Sequence, residues 1–173
     1  MKGLVRTIVM YSHSGLKRRL RFDVIVDVIR MACLYSHGIR DDTEVYVVLM
    51  GESPPKTIHI SRGTVDKFPP DPKGVEEVIL SRSWPEVSFR QLMRELFQRK
   101  VYVLEEDGAP IEKCEVEESV FVIGDHIGLP KVEERFLLSH GAQKISLGKI
   151  PLTAPAAAAV LQYLLDSRKF SGK

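Results

Sequence analysis

The chain has 173 residues, 44% of them apolar and 28% charged, with a formal net charge of +2. This is one domain's worth of polypeptide with enough apolar content for a real core. No run approaches the roughly 20 apolar residues a membrane-spanning helix needs, and the first apolar stretch, interrupted by Arg6, is too short and too charged for a secretory signal, so the expected location is the cytoplasm.

In chain order, residues 4–10 read as a first strand and 11–21 as a polar loop containing Gly15. That loop carries Lys17, Arg18, Arg19 and Arg21, four cations within five residues. They repel one another, so an anionic partner would relieve a real cost; the alternative is a solvated loop with counterions. The charge is also uneven along the chain, with eleven Lys/Arg and seven Asp/Glu in residues 1–70 against fourteen and sixteen in the remainder. Val24, Ile25, Val28, Ile29, Ala32 and Cys33 recur at helical spacing, which predicts a helix over 22–36 closed by Gly38. Residues 44–50 form a β-branched buried strand and 57–61 an edge strand. Residues 62–74, rich in proline and glycine, form a loop.

A short helix or strand follows at 75–80. Phe89, Leu92, Met93, Leu96 and Phe97 line one face of an amphipathic helix. A strand over 101–104 runs into the turn Glu105-Glu106-Asp107-Gly108. Further strands are expected at 119–123 and 143–147, and helices at 131–140, capped by Gly141, and 155–166. The alternation of strands and helices predicts an α/β fold with a mostly parallel sheet flanked by helices, as a single domain over 1–173. The alanine run 156–159 gives a face that another helix could approach closely, either within the subunit or across a symmetric dimer.

Several chemistries are excluded. Cys33 and Cys114 lack Cys-x-x-Cys spacing and read as reduced thiols, and His37, His59, His126 and His140 are scattered, so no metal is expected. There is no Gly-x-Gly-x-x-Gly after the first strand, no phosphate-binding Gly-x-x-x-x-Gly-Lys, no Gly-x-Ser-x-Gly elbow and no His-Glu-x-x-His pair. What remains is three strand-ending loops: 104–108, 124–129 and 146–153. Ligands of open α/β sheets bind outside the carboxyl ends of the strands. There, backbone groups could read the edge of an adenine while Leu104, Ile127, Leu147 and Leu152 enclose its ring. Asparagine is absent and glutamine occurs four times, a depletion associated with thermophilic proteins.

Four segments carry a resemblance to a known family. They are Arg21-Phe22-Asp23-Val24; Leu34-Tyr35-Ser36-His37-Gly38-Ile39-Arg40-Asp41-Asp42 with the strand after it; Ile123-Gly124-Asp125-His126-Ile127-Gly128-Leu129-Pro130; and Ile145-Ser146-Leu147-Gly148 with Leu152. In these the chain resembles the SPOUT superfamily of S-adenosylmethionine-dependent RNA methyltransferases, and within it the archaeal tRNA (pseudouridine-54 N1)-methyltransferases. The resemblance implies a C-terminal trefoil knot, within about residues 100–165, one of the few exceptions to the rule against knots. It further implies S-adenosyl-L-methionine as cofactor, a homodimer with the active site near the subunit boundary, and a tRNA T-loop as substrate. Leu104, Gly124, Ile127, Gly128, Ser146, Leu147, Gly148 and Leu152 fall on the cofactor positions. One departure stands out: Ala157 occupies the place where the family carries a cysteine.

Methylation of a pseudouridine N1 needs an acceptor for, or an anchor on, its N–H. Asp23, at the start of a helix after the basic block, is the candidate; its other reading is an acidic residue favoured by the helix dipole. Arg21 could steady charge on the base or grip a phosphate, and Arg18, Arg19, Arg40 and Arg62 are candidates for backbone phosphates. Competing expectations are an rRNA pseudouridine N1-methyltransferase, a non-catalytic RNA-binding module of the same fold, and a plain polyanion-binding protein.

Overall fold

The computed structural model describes residues 5–36, 38–63 and 69–171. In chain order the elements are β1 (Arg6–Ser12), α1 (Phe22–Cys33), β2 (Leu34–Tyr35), β3 (Gly38–Ile39), β4 (Thr43–Leu49), β5 (Lys56–Ile60), α2 (Pro72–Leu80), α3 (Phe89–Leu96), β6 (Val101–Pro110), β7 (Val120–Gly124), α4 (Lys131–Ser139), β8 (Gln143–Ser146) and α5 (Ala154–Ser171). Six strands form one sheet in the order β5-β4-β1-β7-β6-β8, while β2 and β3 pair as a separate small hairpin. Every neighbouring pair in the large sheet is parallel except β4 with β5, which closes one edge in the antiparallel sense.

Side chains alternate across the strands with a period of two, and both faces are covered. On one face Ile8, Met10, Val47, Phe121 and Ile123 pack with Val28 and Ile29 of α1, Val75 and Ile79 of α2, and Ala158 and Leu161 of α5. On the other, Val9, Val101, Val103 and Val122 pack with Phe89, Leu92 and Met93 of α3 and Leu137 of α4. The α3 start is fixed by a capping box, in which Ser88 accepts from the Gln91 backbone and the Gln91 side chain accepts from the Ser88 backbone, satisfying two otherwise orphaned N–H groups. Of the alanine run 156–159 only Ala158 is buried, in the core that α5 shares with α1, together with Ala154 at the helix start; Ala156, Ala157 and Ala159 are half-buried.

The structure departs from the sequence expectation in three places. The first helix stops at Cys33, and Gly38 sits in β3 and is not a helix cap. The Cys33 carbonyl accepts from the Arg40 N–H at 2.7 Å, and the Arg40 guanidinium lies 4.6 Å from the Tyr35 ring centroid. Tertiary partners therefore end the helix about a turn early. Second, the expected turn at 105–108 is strand: β6 runs on to Pro110, with a register shift between Leu104 and Ala109 against β8. Third, α5 begins at Ala154 and extends to Ser171. His37, Leu4 and residues 64–68 of the proline-rich loop lie outside the described residues.

Arg40, expected among the phosphate contacts, is buried. Its side chain is 8% exposed and its NH2 group donates to Asp166 Oδ2 at 2.7 Å. Arg6 donates to Asp166 Oδ1 at 2.6 Å and to Gln162 Oε1 at 2.8 Å. Gln162 in turn donates to the Ala32 carbonyl and to Thr43 Oγ1. The network ties α5 to β1, α1 and the β3–β4 segment, and occupies the guanidinium that a phosphate would need.

Two consequences are testable. A Cβ added at Gly108 would lie 2.6 Å from the Ile145 backbone nitrogen, whereas one at Gly38 would meet nothing within 4 Å. Gly108→Ala must push β6 from β8 and should cost about 2 kcal/mol or more, lowering Tm by about 4–8 °C, while Gly38→Ala should stay within about 0.5 kcal/mol. Thermal unfolding of both variants checks this. The second concerns Asp166. Burial favours its neutral form, but hydrogen bonds from Arg40 and Arg6 outweigh that and lower its pKa. A depressed folded pKa gives stability that is present above the unfolded value, about 3.9, and lost as pH falls through the folded one. Asp166→Asn should therefore cost about 2–3 kcal/mol near neutral pH, and the gap to the wild type should close below about pH 4 in a urea titration.

Candidate active site

β1 and β7 lie side by side, yet the helix after β1 covers one face of the sheet and the helix after β7 covers the other. Such a switch point opens a crevice at the carboxyl ends of the strands. A cleft of about 730 Å³ lies there, a size suited to a nucleoside-sized ligand. Its walls come from four stretches: the beginning of α1, the middle of β6, the loop after β7, and the segment from Pro151 to Ala157.

Glycine is required in the β7 loop. A Cβ on Gly124 would sit 2.3 Å from the Leu129 backbone nitrogen, because the loop doubles back onto the strand end. Gly128, at φ +96°, takes a backbone conformation that side chains disfavour. Between them, Asp125 organises the crevice. Its carboxylate accepts from the His13 backbone N–H at 2.6 Å and from the Ile127 N–H at 3.0 Å, and it lies 3.0 Å from His13 Nδ1. Only 2% of this side chain is exposed. It clasps the loop after β1 to the loop after β7. In the loop after β8, the Ser146 hydroxyl donates to the Gly148 carbonyl at 2.9 Å and accepts from the Gly148 N–H at 3.1 Å. This turn directs the chain into the Pro151–Ala157 wall.

The basic loop is held from below. Glu52 Oε1 accepts from the Leu16 N–H and, at 2.9 Å, from the Lys17 N–H, and these backbone contacts, Lys17 first, lower the Glu52 pKa. Ser14 Oγ accepts from the Leu20 N–H at 2.9 Å. Arg21, left-handed at φ 48°, ends the loop, and its guanidinium grips Asp23 through two hydrogen bonds of 3.1 Å. That grip lowers the Asp23 pKa, so Asp23 is a carboxylate at neutral pH and a weak base.

The cleft brings together Arg21, Asp23, Leu104, Gly124, Gly128 and Leu152 from among the residues singled out in the sequence, with Ala157 in the same wall. The others stand apart from its lining. Ile127 is 62% exposed, and Ser146, Leu147 and Gly148 shape the adjoining turn. Arg18 and Arg19 project from the basic loop, Arg19 lying 3.6 Å from Glu76, and Arg62 lies 3.6 Å from Asp41 at the surface. Sequence reasoning missed His13, the part played by the Asp125 carboxylate, and Glu105, which lines the cleft on β6. His13 could have been found from its place, one residue past the end of a central strand. Among the described residues no cluster suited to a metal ion occurs, and no helix is long and apolar enough to cross a membrane.

The chain is similar to several known proteins. Residues 12–170 match the family described as "Putative SAM-dependent RNA methyltransferase". The tRNA (pseudouridine(54)-N(1))-methyltransferase of Methanopyrus kandleri is 35% identical over 164 residues, covering 86% of this chain and 81% of that protein. The enzyme of the same name from Methanocaldococcus jannaschii is 28% identical over 174 residues, covering 86% and 85%. Among solved structures, Archaeoglobus fulgidus Nep1 bound to S-adenosylhomocysteine superposes with a TM-score of 0.62 at 16% identity, covering 98% of this chain and all of that one. The chain belongs to the S-adenosylmethionine-dependent RNA methyltransferase family that includes the archaeal tRNA (pseudouridine(54)-N(1))-methyltransferases.

Proposed function

We propose that the protein transfers a methyl group from S-adenosylmethionine to N1 of pseudouridine 54 in the T-loop of tRNA. The observation that carries this reading is the cleft itself. It brings the Arg21–Asp23 pair, at the foot of a basic loop, into one lining with the glycine turn of β7 and the apolar side chains of Leu104 and Leu152. The relatives' shared name supplies the substrate and position. The rRNA alternative has behind it only a fold likeness at 16% identity, to a ribosomal RNA small subunit methyltransferase E from Neisseria gonorrhoeae.

The residues present fit the cofactor. Leu104, Leu129 and Leu152 offer apolar surface to an adenine ring, Gly124 and Gly128 let the main chain approach closely, and the cleft carries more carboxylates than cations. Ser146, Leu147 and Gly148 form the turn that leads into the Pro151–Ala157 stretch of the lining. Ala157 adds no thiol, so the transfer proceeds without a cysteine there. When bound, the cofactor supplies a methyl already activated by a sulfonium. The chain's part is to exclude water and to align the target nitrogen. Asp23 accepts a hydrogen bond from the N1–H of the base and takes that proton as the nitrogen is alkylated, when even a weak base suffices. Arg21 steadies the negative charge that develops on the base as the proton is drawn off. Lys17, Arg18 and Arg19 on the braced loop, with Arg62, hold tRNA phosphates.

Two further parts of the reading concern the assembly. The segment of about residues 100–165 is threaded as a trefoil knot, as the resemblance of its glycine turns to the SPOUT superfamily implies. The protein works in the cytoplasm as a homodimer, whose interface takes up Ile150, 77% exposed, and Tyr163, 71% exposed.

Incubation of the purified protein with S-adenosylmethionine and a tRNA carrying pseudouridine 54, followed by mass mapping of nucleosides, should place one methyl on that base. Asp23→Asn should slow the transfer at least about tenfold, with cofactor affinity within about twofold of the wild type. Unchanged turnover would remove Asp23 from the reaction. Light scattering should return twice the chain mass, and a monomer that still methylates tRNA would end the dimer proposal.

A further inference from the structure

Four carboxylates line the cleft: Asp23, Asp27, Asp125 and Glu105. Three have a cationic or ring-nitrogen partner within the chain. Arg21 lies 3.1 Å from Asp23, Arg30 lies 3.3 Å from Asp27, and His13 Nδ1 lies 3.0 Å from Asp125. Glu105 is the fourth, and among the described residues no cation stands within ion-pairing distance of it. The neighbouring ammonium groups are engaged elsewhere. Lys144 bridges Glu134 and Asp107 at 3.0 and 3.1 Å, and Lys131 lies 3.3 Å from Glu134. Glu105 is half-buried and, with Leu104 before it in β6, is among the residues that line the cleft. Burial first, then the charges of Glu134 and Glu106, make its ionised form costly, while Lys131 and Lys144 offset part of this. A half-buried anion without a counterion is relieved when a cation arrives.

We propose that Glu105 is the residue of this cleft that recognises the positive charge of the cofactor. The inference rests on S-adenosylmethionine as the ligand. That molecule carries two cationic groups, a sulfonium and an α-ammonium, and methyl transfer leaves a neutral thioether in place of the first. A carboxylate facing the sulfonium favours the donor over the spent product and loses its partner at the moment of transfer, which promotes product release. A carboxylate facing the ammonium favours both equally. The shared chemistry is recognition of a cation by a side chain that no cation among the described residues pairs with.

Calorimetric titration of the full chain separates these cases with three ligands: S-adenosylmethionine, S-adenosylhomocysteine, and 5′-methylthioadenosine, which has neither cationic group. Glu105→Gln preserves shape and removes charge. It should weaken S-adenosylmethionine about tenfold and leave 5′-methylthioadenosine within about twofold, and the latter binding also reports an intact cleft. Loss of S-adenosylhomocysteine affinity in parallel assigns the ammonium, and its retention assigns the sulfonium. Glu106→Gln, the same charge change on the exposed neighbouring residue, should leave all three affinities unchanged. Equal weakening of all three ligands by Glu105→Gln would overturn the proposal in favour of a contact to the common nucleoside, and equal weakening by Glu106→Gln would reduce it to a long-range field. Wild-type protein that binds no S-adenosylmethionine would overturn the cofactor reading as well, whereas normal binding untouched by Glu105→Gln overturns the Glu105 assignment alone.

Discussion

The buried carboxylate of Asp125 is the contact on which the site depends. It receives two backbone N–H groups and faces a histidine ring nitrogen, from two loops more than a hundred residues apart in sequence. A carboxylate this buried survives only if its oxygens are satisfied. The loop after β1 is therefore docked against the loop after β7 whenever the sheet is formed. Everything the cleft requires from the first part of the chain, including Arg21 and Asp23, hangs from that docking. The Glu52 carboxylate repeats the device a few residues on by holding the Leu16 and Lys17 amides. Two acidic side chains thus fix the backbone of a strongly basic loop from within and leave its cations facing outward.

This division of charge suits the two ligands of a nucleic-acid methyltransferase. The cleft is lined mainly by carboxylates and apolar side chains. The loop above it carries Lys17, Arg18 and Arg19. A cationic donor and a polyanionic substrate are attracted to adjacent but oppositely charged surfaces, so neither competes for the other's place. A uniformly basic pocket would attract phosphates into the space the donor must occupy.

The architecture was legible in the sequence because the strands are buried on both faces and read as unbroken apolar runs, as in residues 120–123 and 45–49. The glycine turns were legible for a similar reason: at Gly124 and Gly128 no other residue fits the close approach or the backbone angle. What escaped was long-range. The acidic string 105–107 reads as a turn by composition, yet β6 runs through it: Leu104 and Ala109 both pair with Ile145, the stretch between them bulges out of the ladder, and Gly108 lies close against Ile145. Arg40 looks like a surface cation in sequence, and nothing local announces that Asp166 lies against it. His13 has no motif of its own, and its meaning comes from a partner in another loop. Glu105 looks like one acid among three until the neighbouring lysines are seen to be engaged elsewhere.

The Arg6–Asp166 pair spans 160 positions of the chain. Its partners place the final helix beside the opening strand and bury Gln162 against Ala32 and Thr43. During synthesis the first strand can leave the ribosome and join its neighbours with Asp42, 3.8 Å from Arg6 and 3.6 Å from Arg40, already present, but the closer partner Asp166 arrives only with α5. Closing so long a loop is entropically slow, and these contacts form late. Nascent chains arrested before that helix would thus leave two arginines sharing the single carboxylate of Asp42 beside an unsealed apolar groove, a species for chaperones to hold until α5 emerges.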